Sequence, residues 1–141
     1  MALLLSRSAL LSAKLPTRDV PVPEMGPDAE VRIQQMSVNT RTAYFERIWA
    51  YQDAVRDWEF DQALPADERK GLTEPAPLDM AILAIVHSII DENGQTIFTE
   101  QDIPIFGQWS KLAVTRIYEA VNEINHYDKN PNALIEAEKK D

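Results

Sequence analysis

Apolar residues recur every second position across residues 19–34: Val20 and Val22 flank Pro21, and Ala29, Val31 and Ile33 alternate with Glu30, Arg32 and Gln34. A period of two puts alternate side chains on one face, so this stretch predicts a β-hairpin turning near Met25-Gly26-Pro27-Asp28. Pro21 and Pro23 cannot donate to a ladder and confine the first strand to a sheet edge. A lone hairpin is marginal in water, so its Val and Ile face should pack on a helix. Over residues 37–58 the period becomes helical. Tyr44, Ile48, Tyr51, Val55 and Trp58 make one stripe, widened by Phe45 and Trp49, opposite polar Arg41, Arg47, Gln52 and Asp53.

Residues 80–90 are apolar on nearly every side of a helix, with Ile82, Leu83, Ile85, Val86, Ile89 and Ile90, which predicts a central, enclosed element. It should stop at the turn Asp91-Glu92-Asn93-Gly94. Thr99 with Asp102 three residues on resembles a capping box and starts a short helix over 100–106, which Gly107 permits to break. Trp109, Leu112, Ala113, Ile117, Val121 and Ile124 then line a last long helix. These elements predict an α+β fold, an N-terminal β-hairpin packed against a small bundle of three to four helices. Trp49 and Trp109 are expected in its core.

Residues 61–78 interrupt the periodic pattern with Pro65, Gly71, Pro75, Pro77 and the cluster Asp67-Glu68-Arg69-Lys70, which predicts a mobile, solvated connection. The expected organisation is one domain over 1–127 and a frayed tail over 128–141. A chain of 141 residues, 45% of them hydrophobic, suits a single core.

The net charge of -9, from 23 acidic and 14 basic residues, repels phosphate backbones and anionic lipid, so neither nucleic acid nor membrane is an expected partner. The absence of cysteine excludes disulfides, thiol nucleophiles and thiolate zinc sites. The opening MALLLSRSALLSAKLP has its leucines split by Arg7 and lacks a basic start, which argues against a secretory signal. No apolar run approaches the about 18 residues of a membrane span. A soluble cytosolic protein is the expectation.

Candidate chemistry is sparse. Asp91, Asn93, Gly94 and Glu100 can be laid on a calcium loop, but Ile89 then stands where the first ligand belongs. The better reading is a tight turn at Asn93-Gly94. His87 sits in the apolar helix with no neighbouring partner for metal or proton transfer, and His126 sits where an imidazole suits a helix C-terminus. There is no phosphate-cradling glycine loop, no GxSxG and no HExxH. No catalytic residue, metal ligand or cofactor is assigned; an enzyme would require a site assembled from distant positions. For partner contact the candidates are the hairpin edge at Val20 and Val22, and Trp58 with Phe60 at the start of the loose connection.

The order of segments is itself informative: MALLLSRSALLSA, then DVPVPEMGPDAEVRIQQMS, a helix carrying AYFE, an apolar helix ending DENGQTIFTEQDI, and a helix with LAVTRIYEAVNEIN. Over residues 2–125 this resembles the small tail assembly chaperones of long-tailed, siphovirus-like bacteriophages. Two features depart from that pattern, Met25 where relatives carry tryptophan and the connection over 61–78. The resemblance implies a non-enzymatic protein of the host cytoplasm that binds the tape measure protein, keeps it soluble, helps recruit tail tube subunits and is absent from the mature virion. It leaves a homo-oligomer open. It also implies a longer product made by ribosomal frameshifting, for which Glu138-Lys139-Lys140 allows a slippery codon run. The alternatives are a minor structural tail or neck protein retained in the particle, or an unrelated small adaptor.

Overall fold

The computed structural model describes residues 3–126. Strands β1 (Thr17–Pro21) and β2 (Glu30–Gln34) form the antiparallel hairpin, and the α+β arrangement is the one expected. Short α1 (Arg7–Ser12) precedes it; α2 (Val38–Ala63), α3 (Met80–Val86), α4 (Ile103–Phe106) and α5 (Lys111–Asn125) follow. The tail expected over 128–141, with Glu138-Lys139-Lys140, lies outside the described residues. Among those described, no helix is long and apolar enough to cross a membrane.

The hairpin register follows from its alternation. Val20 lies opposite Val31 and Arg18 opposite Ile33, and facing residues share one side of a ribbon. That side turns inward, burying Val20, Val22 and Ile33. The other side presents Asp19 opposite Arg32, whose guanidinium donates to the two carboxylate oxygens at 2.7 and 3.2 Å. The Val22 N–H donates to the Ala29 carbonyl and the Gln35 N–H to that of Pro16. Even-numbered residues of β1 therefore bond β2, and Pro21 occupies an outward backbone position where its missing N–H removes no ladder bond.

Helix α3 is shorter than its apolar pattern predicts. It ends at Val86, and the Ser88 hydroxyl donates back to the Ala84 carbonyl at 2.8 Å. Ile89 and Ile90 leave the helix and run beside β2: the Gln34 N–H donates to Ser88 O at 2.9 Å, and the Ile90 N–H to Arg32 O at 3.0 Å. The reason is the unpaired edge of β2. Its buried N–H and C=O groups need partners, and two β-branched residues suit extended backbone better than another helical turn. The turn that follows is the tight one expected: Gly94 has φ +81°, and the Asp91 Oδ1 accepts from the Asn93 and Gln95 N–H groups at 2.8 and 3.0 Å.

Leu83, Ala84, Ile85 and Val86 of α3 are all buried and form the centre against which α5 packs. From α5 come Ala113, Ile117, Val121 and Ile124, as the stripe predicts, whereas Leu112 is exposed rather than inward. At 100° per residue it falls on the far side of α5 from the centre of that stripe, so Leu112 is exposed while Ala113 beside it is buried. The Thr99–Asp102 capping box is present, and Phe98, Phe106 and Trp109 cluster with ring centroids 4.3 to 6.0 Å apart. At the far end of α5, the buried Asn125 amide accepts from the Met36 N–H at 2.8 Å and donates to Val121 O at 2.9 Å. Gln35 adds a bond to Ile124 O, so the exit of the hairpin is stapled to the end of the last helix. His126 caps that helix through its left-handed backbone, its N–H reaching Asn122 O and Glu123 O.

Candidate partner-binding surface

Helix α2 begins at a conventional cap, the Ser37 hydroxyl accepting from the Thr40 N–H at 3.1 Å. Its 26 residues span about 39 Å. Only its early part meets the core. Tyr44 and Ile48 are buried there with Phe45 packed beside them, and no residue between Ile48 and Leu78 belongs to the central hydrophobic cluster. The helix and the connection after it form an arm standing off a compact head.

At 100° per residue, the arm carries two apolar stripes. Tyr44, Ile48, Tyr51, Val55 and Trp58 lie on one, with Tyr51, Val55 and Trp58 half-buried. Phe45, Trp49 and Phe60 lie on the other. Phe45 and Trp49 stack at 6.0 Å, and the Arg41 guanidinium lies 5.3 Å from the Phe45 ring centre. Trp49 is 57% exposed and Phe60 is 70% exposed. The core placement expected for Trp49 is thus corrected: α2 leaves the head within a turn of Ile48, and of its second stripe only Phe45 packs on the core. Trp109, by contrast, packs on the core as expected.

The arm is held together by a residue that periodicity does not reveal. Asp61 is buried at the C-terminal end of α2, and its two carboxylate oxygens accept from the Lys70 and Leu72 N–H groups at 2.7 and 3.1 Å. Those backbone donors hold its pKa below the ordinary aspartate value, against a smaller opposing effect of burial. The tether folds the start of the 61–78 connection back over the helix end. Beside it lies a depression of about 350 Å³ lined by Asp57, Phe60, Asp61, Leu64, Lys70 and Leu72. A lone aspartate before a proline- and glycine-broken stretch was the only available signal.

The four sequence-derived contact residues separate. Phe60 is the most exposed aromatic of the arm and borders the depression; Trp58 is half-buried on the inward stripe. Val20 and Val22 are corrected, since Val22 is 0% exposed and Val20 is also in the core. A strand edge concerns backbone groups, whereas these side chains point across the ribbon into the head. Thr17 and Asp19, not the valines, direct backbone groups to the outside.

Elsewhere, a groove of about 600 Å³ runs between the outer face of the hairpin and the Asp91–Gly94 turn. Two of its charged groups are engaged: Arg32 holds Asp19, and Asp91 caps its own turn. His87 is half-buried, its ring 6.2 Å from that of Tyr44, and burial depresses its pKa with Glu100 opposing. Among the described residues, no three His, Cys, Asp or Glu side chains are grouped to hold a metal ion. No family model, no curated protein and no solved structure matches this chain.

Proposed function

We propose that this protein is a tail assembly chaperone of long-tailed bacteriophages, acting in the host cytoplasm on the tape measure protein and helping tail tube subunits assemble around it. One observation carries the reading: a closed head presents a helical arm whose aromatic stripe starts at Phe45, packed on the core, and carries Trp49 and Phe60 outside it. A long helical tape measure exposes apolar faces until the tube encloses it. An aromatic helix face can cover such a stripe as one helix lies along another. The surrounding surface is acidic, which keeps the covered complex soluble. Binding of this kind is released when tube subunits compete for the same apolar faces, and the chaperone is then absent from the finished virion.

Co-expression with the tape measure protein of the same phage tests the reading. The expected result is a rise in tape measure solubility and a complex that survives pull-down. Trp49→Ala with Phe60→Ala should abolish the complex while the melting temperature stays nearly constant. An unchanged tape measure, or a chain found at fixed stoichiometry in purified virions, would refute the chaperone role; the second result would make it a structural tail protein. Reading the codons for Glu138-Lys139-Lys140 tests the associated frameshift.

A further inference from the structure

The two exposed rings of the arm share one face. Trp49 and Phe60 are eleven residues apart in α2, which is three helical turns. At 100° per residue they lie within about 20° of each other around the axis and about 16.5 Å apart along it. Between them on that face come Asp53 and Asp57, both exposed, with Arg56 beside them. Arg56 reaches Asp53 at 3.3 Å and Asp57 at 3.8 Å, contacts between exposed groups that hold little energy in water. The excess charge here is acidic, since residues 53–79 contain eight acidic and three basic residues. Past Phe60 the face ends in the depression lined by Phe60, Leu64 and Leu72, and the Asp61 carboxylate keeps Leu72 there by accepting from its N–H at 3.1 Å.

We infer that this face selects a basic amphipathic helix: two apolar anchors eleven residues apart, one against Trp49 and one in the depression at Phe60, with lysine or arginine between them over Asp53 and Asp57. A helix lying along α2 repeats the same three-turn spacing, so both anchors land together. An extended segment spans that distance in about five residues, which puts its two anchors on opposite faces. Cations belong between the anchors because docking takes Asp53 and Asp57 partly out of water, and an acidic partner would add repulsion to that cost. Nucleic acid and anionic lipid carry the same sign of charge as the arm and do not suit it. For the tape measure protein this rests on the chaperone role proposed above, and it specifies the part of that long helix to be covered: an apolar stripe interrupted by basic residues.

Alanine-based synthetic peptides test it against the full chain, with the fluorescence anisotropy of a dye on the peptide as the readout. The matched probe carries leucine at positions i and i+11 and lysine at i+4 and i+7. One control has glutamate in place of lysine, and another has its second leucine at i+9, on the far side of the helix. The matched probe should bind, both controls should bind about tenfold or more weakly, and added salt should weaken the matched complex. Asp53→Lys with Asp57→Lys should exchange the preference, making the glutamate probe the better ligand, while the melting temperature stays nearly constant because both side chains are exposed. Trp49→Ala with Phe60→Ala should lose every probe. A matched probe that does not bind, probes that bind alike, or a preference unmoved by the charge reversal overturns the inference. The chaperone role and this specificity fail separately. A tape measure protein kept soluble by a chain that ignores the probes leaves the role without the specificity; a matched probe that binds while the tape measure protein is unaffected leaves the specificity without the role.

Discussion

Trp109 and Trp49 show how the head and the α2 arm differ. Trp109 sits where the chain passes from α4 to α5, its ring 4.3 Å from that of Phe106, and contributes to a closed aromatic cluster. Trp49 sits one residue beyond Ile48, the last residue of α2 in the hydrophobic cluster, and stacks on Phe45 of its own helix. Both belong to stripes that the apolar spacing assigns to a helix face. Their fates diverge because α5 packs on both α3 and the hairpin, whereas α2 crosses α3 early and continues past it. The head closes its apolar groups among several elements; the arm, a single helix with a tethered return, has no second layer to close against.

The comparison makes its strongest demand on the head. Phe106→Ala should cost about 3–5 kcal/mol through lost burial and the cavity left behind, seen as a large drop in the chemical-denaturation midpoint. Asn125→Ala comes next, at about 1–3 kcal/mol, because the Met36 N–H loses its acceptor in a buried site. If either change were silent, the head would not be the cooperative unit described.

Acid should affect the two regions in separate ranges. His87 has a depressed pKa in the folded state, so on acidification the unfolded chain takes up that proton first. Its stabilising contribution is present above the ordinary histidine value of about 6.5 and lost as pH falls through it. His87→Gln should flatten that part of the stability profile. Asp61 is likewise depressed, so its tether is intact above the ordinary aspartate value of about 3.9 and is lost as pH falls toward the lower folded value. Hydrogen exchange at Lys70 and Leu72 reports this locally, and Asp61→Asn should speed exchange there at neutral pH while leaving α3 and α5 protected. The smallest stability effect belongs to the exposed stripe: Trp49→Ala with Phe60→Ala should change unfolding free energy by no more than about 0.5 kcal/mol per site. A larger loss would place those rings in a packed interface within the chain.

Much of the head was legible because its elements have a face to hide. The period-two runs around Val20 and Ile33, the capping box at Thr99 and Asp102, and the Ile117–Val121–Ile124 stripe each state which side must meet other protein. What escaped notice involves competition between elements. Ile89 and Ile90 suit a buried helix by periodicity, but the open edge of β2 claims their backbone. Val20 and Val22 were candidates for an exposed edge because proline marks such strands, yet the same alternation sends their side chains inward. Asp61 resembles any polar residue at a helix end until the N–H groups of Lys70 and Leu72 fold back onto it.

Local periodicity, capping residues and proline placement were sufficient to determine that this chain forms a hairpin and a set of helices around one apolar centre, because those signals act over a few neighbouring residues. Only the tertiary structure decided how far α2 runs beyond that centre, and hence that Trp49 and Phe60 stand outside it while Val22 does not. Burial depends on what the rest of the chain brings alongside, and that is a property of the assembled layers rather than of any one stretch.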